Sequence, residues 1–330
     1  MKDLGAIGLE DVRAARTRIA GYASRTPLVR LEVEKGEKVE TAEIYLKLEN
    51  LQPIGAFKLR GAANAMLRAG IERIAPGVWT PSAGNMAQGV AWMARRLGVP
   101  CSVVVPEHAP QTKLDAVARL GGTITKVSFD AWWEAMQTGA LPEDLAPHIA
   151  ARHLVHPVMD PDVIAGNGTI GLEILEDLPD VDAVLVPYGG GGLLAGIATA
   201  VRALRPQARI FACEIETAAP FAAALAAGAP RDIEPRRSFV DGIGGKGVFP
   251  PMWPLVEQLA DGSLVATLEE TCAAIRLLVE RHRVVAEGAG AVPVATALAG
   301  RAGAGKIACV VSGGNIDTTT LCTILAGGRP

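Results

Sequence analysis

Four consecutive glycines, Gly189 to Gly192, close the apolar run AVLVPY (183–188) and open the helical stretch LLAGIATAVRAL (193–204). A strand that ends in glycines and turns into a helix suits a phosphate. Glycine lets backbone N–H groups approach an anion, and a helix N-terminus adds unpaired donors and the positive end of a dipole. Gly190, Gly192 and Ala195 also fit G-x-G-x-x-A, with Glu214 about 20 residues on at the end of IFACE, the spacing at which an acid holds a ribose. Taken alone, the loop fits a dinucleotide, a ligand with one phosphate, or a tight turn with no ligand.

Three further segments carry chemistry of their own. In LENLQPIGAFKLRGA (48–62), Lys58 stands among Gly55, Ala56, Phe57, Leu59 and Gly61. A desolvated lysine loses its proton more easily and becomes a nucleophile for aldehydes, whereas a solvated one at a helix start is only a charge. In TPSAGNMAQGVA (80–91), Ser82, Gly84 and Asn85 form either a nest for a carboxylate or an N-capping turn. In VVSGGNID (310–317), Ser312 ends a strand where its hydroxyl could reach a ring nitrogen; otherwise the segment is a turn capped by Asn315 or Asp317.

The elements that must position these residues alternate along the chain. Strand-like runs are IYLKLE (44–49), VWTPS (78–82), CSVVVP (101–106), ITKVS (124–128), AVLVPY (183–188), RIFACEI (209–215) and IACVVS (307–312). Helical patterns are expected over 9–22, 57–70, 86–98, 112–122, 193–204 and 268–283. Such alternation predicts an α/β fold with mainly parallel, twisted sheets flanked by helices, and the length of 330 residues suits two of them. Segment 148–163, with two prolines, is expected to cross between the two units. In open α/β sheets ligands sit beyond the carboxyl ends of strands, where all four chemical segments fall.

Composition narrows the partners. The net charge of −3, with Lys and Arg scattered, gives no basis for nucleic-acid binding, and no apolar run is long enough to span a bilayer. The five cysteines lie far apart, mostly inside apolar runs, and read as small core residues in a reducing, cytoplasmic compartment.

Taken together and in order, these segments resemble the fold-type II (tryptophan-synthase β-like) pyridoxal-phosphate enzymes, in the branch of threonine dehydratase and serine racemase. The resemblance runs from about Thr26 to Asp317 and includes HPVMDPDVIAGNGTIGLEIL (156–175), DGIGG (241–245) and EGAGA (287–291). It displaces the dinucleotide reading, which leaves the Lys58 and Ser312 segments unexplained. It implies pyridoxal 5'-phosphate between a larger domain (1–50 plus 157–330) and a smaller one (51–156). Lys58 matches the lysine that forms the Schiff base, Phe57 the aromatic beside the ring, and Asn85 the asparagine on the ring hydroxyl. Gly189, Gly190, Gly191, Gly192 and Leu193 match the phosphate loop, Gly242 a glycine packed near the ring, and Ser312 the residue facing the ring nitrogen. Ser82, Ala83, Gly84, Asn85 and Met86 match the loop that grips the substrate carboxylate. The resemblance further implies a homodimer acting on a small amino acid.

The implied reaction is β-elimination of a 3-hydroxy amino acid to a 2-keto acid and ammonia, with Lys58 taking the α-proton. Racemases of this branch use a serine where this chain has Ala83, which disfavours racemisation. Cysteine-synthase-like β-replacement and a cofactor-binding regulatory protein also stay open. Ala56, Met86 and Val158 are less polar than the family usually shows. A less polar pocket predicts acceptance of an apolar or aryl β-substituent, such as that of phenylserine. Family members often bind a cation near Glu214 with an acid six residues later, where Pro220 stands here, so no metal is expected. The chain ends soon after SGGNID, so the regulatory domain of biosynthetic threonine dehydratases is not expected either.

Overall fold

A computed structural model describes residues 4–32, 41–141 and 145–330. Ten strands are described: β1 Leu28–Arg30, β2 Ala42–Leu48, β3 Val78–Thr80, β4 Cys101–Pro106, β5 Thr123–Val127, β6 His153–Leu154, β7 Ala183–Pro187, β8 Arg209–Ile215, β9 Gly262–Ala266 and β10 Gly305–Val311. They form a six-stranded sheet in the order β1-β2-β10-β7-β8-β9 and a four-stranded sheet in the order β5-β4-β3-β6. Every pairing is parallel except β1 with β2. The α/β class expected from the alternation is the fold observed. The proposed division into 1–50 plus 157–330 and 51–156 covers residues 1–3, 33–40 and 142–144, which lie outside the described residues.

Parallel strands covered on both faces must be apolar throughout. β7 is buried at all five residues and β4 at five of six. The strands that the pattern missed are the poorly covered ones. β9 is only half-buried over most of its length, β1 is a short antiparallel edge, and β6 has two residues. β6 corrects the expected crossing over 148–163: it pairs with β3 as the edge of the four-stranded sheet, and the chain crosses only after it.

The helix Pro161–Asp177 was also absent from the expectations, because three glycines dilute its helical pattern. Asp160 caps it by accepting from the Asp162 N–H at 2.8 Å, and Pro161 opens it. The glycines serve close packing. A Cβ on Gly168 would lie 2.7 Å from the Gly196 carbonyl oxygen in the helix Gly192–Leu204, and one on Gly166 would lie 2.5 Å from that of Arg60. This helix therefore sits tightly between the helix Gly192–Leu204 and the helix Lys58–Ala69.

A buried ion network joins the same elements. Arg60 pairs with Glu49 at 2.8 Å and Glu173 at 2.6 Å, and Lys47 pairs with Glu173 at 2.5 Å. Two cations and two anions balance, as burial demands. Burial alone would raise the Glu173 carboxyl, but Arg60 and Lys47 hold it below its ordinary value. Four cysteines are buried as expected, whereas Cys322 is exposed on the helix Thr318–Leu325, a correction to its reading as a core residue. Among the described residues, no helix is long and apolar enough to cross a membrane.

Candidate active site

The site begins with the turn that delivers Lys58. Segment 55–57 is stitched to the chain beyond β10. The Phe57 N–H donates to the Ser312 carbonyl at 2.9 Å, Ala56 bridges Gly313, and the Gly314 N–H donates to the Gly55 carbonyl at 2.9 Å. Lys58, first residue of its helix, is thereby held beside Ser312, itself 3% exposed. The Lys58 Nζ donates to the Pro157 carbonyl at 2.8 Å and lies 5.2 Å from the centre of the Phe57 ring. Burial lowers its pKa to about 8, because no carboxylate compensates for the lost water.

Pro157 is positioned by His156, whose role the sequence reading missed. The His156 Nδ1 accepts from the N–H groups of Val158 at 3.1 Å and Met159 at 2.8 Å, and Nε2 sits 2.9 Å from the Met136 carbonyl. Those partners require a neutral ring with its proton on Nε2. Burial pushes the His156 pKa down to about 4, and Lys58 nearby pushes the same way.

The glycine loop lies on the other side of Val158. Gly191, at φ 93°, precedes the helix Gly192–Leu204, whose first N–H groups have no partner within the helix. A Cβ on Gly190 would come 2.5 Å from Val158 Cγ2, and one on Gly189 would come 3.2 Å from the Gly242 carbonyl. The loop is thus packed from behind, and Gly189, Gly190 and Gly242 retain accessible surface. Leu193 is 6% exposed and packs into the core beneath.

Asn85 opens the helix Asn85–Leu97. Its Nδ2 donates to Glu287 Oε1 at 2.9 Å and Oε2 at 3.2 Å, and its Oδ1 accepts from Asn315 Nδ2 at 2.8 Å. Glu287 and Asn315 were not singled out as site residues; the only signals were the EGAGA and SGGNID motifs. Ser82, Ala83 and Gly84 are half-buried at the open end of the helix, and the Gly84 N–H donates to Ser82 Oγ at 3.3 Å. Met86 is different: it is 1% exposed within the core of the four-stranded sheet. Val158 is 7% exposed with its methyl groups against Gly190, and Ala56 is fully buried.

Glu214 holds no open site. Its carboxylate accepts from the Phe221 and Ala222 N–H groups, both at 2.8 Å, and from Ser263 Oγ at 2.5 Å. Pro220 starts the helix Pro220–Ala227 that supplies those two donors. Among the described residues, no three His, Cys, Asp or Glu side chains gather as a metal group.

A family model described as pyridoxal-phosphate dependent enzyme matches residues 19–313. The chain belongs to that family. Its cofactor is pyridoxal 5'-phosphate, and the residues present fit it. A glycine loop at a helix N-terminus suits the phosphate. A half-buried lysine of lowered pKa suits the aldehyde. The L-threonine ammonia-lyase of Thermotoga maritima is 39% identical over 330 residues, covering 98% of this chain and 79% of the relative. The solved structure of maize serine racemase superposes with a TM-score of 0.86 at 31% identity, covering 98% of both chains. The processed form of threonine deaminase isoform 2 from Solanum lycopersicum superposes at 0.85 with 34% identity, covering 97% of this chain and 87% of that one.

Proposed function

We propose that this protein is a pyridoxal-phosphate dependent ammonia-lyase that converts a 3-hydroxy amino acid into a 2-keto acid and ammonia. The observation that carries this reading is Lys58, an amine of lowered pKa next to the Ser312 strand end, whose Nζ meets Pro157, the residue before the Val158 that packs on the glycine loop. The relatives named as threonine ammonia-lyase and threonine deaminase support the reaction class. The bound cofactor supplies an electron sink for the α-carbon. The glycine loop would hold its phosphate, and Asn85 and Ser312 would orient its ring. The Ser82–Gly84 turn receives the substrate carboxylate. Lys58 takes the α-proton as its neutral amine. The β-hydroxyl leaves as water with a proton that balances the one Lys58 removed, so one water departs, and the released enamine takes up water and loses ammonia to give the keto acid.

The substrate is of threonine's size in this reading. The aryl preference rested on Ala56, Met86 and Val158, all of which turn their apolar character to internal packing. Turnover of L-threonine, L-serine and phenylserine, followed as keto acid, tests the choice. A kcat/KM for phenylserine above that for threonine would restore the aryl reading. The likeness to maize serine racemase keeps racemisation as the second reading. Ala83 offers no proton donor on the face opposite Lys58, so D-serine should not form from L-serine. A protein that takes up no cofactor and yields no keto acid from any of the three would refute the assignment. Dimer formation and a cytoplasmic location belong to the same proposal; they rest on the family resemblance and the unpaired thiols, and light scattering tests the first.

A further inference from the structure

Glu287 has no part in the reaction above, yet it is the half-buried acid in contact with Asn85. It precedes the helix Gly288–Leu298, and its N–H donates to the Gly313 carbonyl at 3.0 Å. Its carboxylate accepts from Asn85 Nδ2 through both oxygens. Space is cleared for it at Gly313, where a Cβ would come 2.7 Å from Oε1. On the far side of Asn85, Oδ1 accepts from Asn315 Nδ2, which also donates to the Ile54 carbonyl at 2.9 Å.

An asparagine amide can rotate by half a turn and exchange its oxygen for its nitrogen. Here both ends are gated. A rotated Asn85 would press Oδ1 against the Glu287 carboxylate, acceptor against acceptor, and Nδ2 against the Asn315 amide nitrogen, donor against donor. Burial raises the Glu287 pKa, but in its ionised form the carboxylate accepts only, so it tolerates one orientation. That orientation commits one Asn85 N–H to Glu287 and leaves the other free.

We propose that Glu287 is a positioning residue that acts through Asn85, locking its amide so that the free N–H faces the ring hydroxyl of bound pyridoxal phosphate. The proposal rests on Asn85 being a cofactor ligand, and the test separates the two. Glu287→Ala and Asn85→Ala are compared with the double variant and the wild type as holoenzymes. Two quantities are read: the dissociation constant of pyridoxal phosphate and the position of its visible absorption band. Each single variant should weaken cofactor binding about tenfold, the worth of one oriented hydrogen bond in a partly enclosed site, and should shift the band. Adding Glu287→Ala to Asn85→Ala should change affinity by less than about twofold, since nothing is left to orient. Glu287→Gln keeps one acceptor oxygen and should recover part of the loss; it also carries the test if the alanine variant does not fold. Equal, additive losses in both backgrounds would mean a merely structural acid and overturn the proposal alone. Loss on Glu287→Ala with wild-type binding by Asn85→Ala would overturn it together with the Asn85 assignment.

Discussion

The lowered pKa of Lys58 has a kinetic consequence that can be measured before any substrate is added. Only the neutral amine attacks an aldehyde. A lysine with the ordinary pKa of 10.5 is neutral in about one molecule in 3,000 at pH 7, whereas one near 8 is neutral in about one in ten. Burial therefore multiplies the reactive fraction by about 300 at pH 7. Protein stripped of cofactor and mixed with a fixed excess of pyridoxal phosphate in a stopped-flow instrument should gain its visible band at a pH-dependent rate. The rate should rise about tenfold per unit below pH 7, reach half its plateau near pH 8, and flatten by pH 9. Free Nα-acetyl-lysine in the same assay keeps rising toward pH 10. A protein rate that follows the free amino acid up to pH 10 would refute the desolvation argument, because Lys58 would then be titrating as if in water.

Other consequences follow from the packing around it. His156 has its pKa held down at about 4, below the unfolded value of 6.5, so its contribution to stability is complete above pH 6.5 and lost as pH falls toward 4. At pH 5 the loss is about 2 kcal/mol, so urea unfolding of the wild type should weaken by that much more than His156→Asn between pH 7 and pH 5; parallel curves would sink the idea. Gly190→Ala drives a methyl group to 2.5 Å from Val158 Cγ2, so the loop must move and cofactor affinity should fall at least about tenfold with little loss of secondary structure by circular dichroism. Glu173→Gln leaves Lys47 and Arg60 sharing the single Glu49 charge in the core and should cost about 3–5 kcal/mol in urea unfolding.

Much of this could be read from the chain because the informative segments are local. RIFACEI is β8 to the residue, and CSVVVP is β4. A strand covered on both faces has to be apolar at every position, and that leaves an unmistakable run. Lys58, the glycine loop and Ser312 all follow such runs, so their convergence beyond the strand ends was inferable. What could not be read depends on distant partners or on side-chain direction. Nothing local says that Asn85 meets Glu287 across 202 positions, or that His156 turns both ring nitrogens to backbone. Met86 sits one residue after Asn85 and was expected to line the substrate cleft; its helical position turns it into the core instead. The helix Pro161–Asp177 was hidden by glycines that weaken a helix in isolation and allow close packing in context.

The stitching of residues 55–57 to residues 312–314 makes the separation between the amine and the hydroxyl stepwise rather than continuous. The two arms meet in one antiparallel bridge, Ala56 with Gly313, flanked by two backbone hydrogen bonds, so their relative register changes only in whole residues. A one-residue insertion in either arm would break these bonds and displace Lys58 rather than lengthen its reach toward the ring. Sequence drift in this ladder can exchange side chains, as at Ala56, but it cannot tune the span the cofactor must bridge.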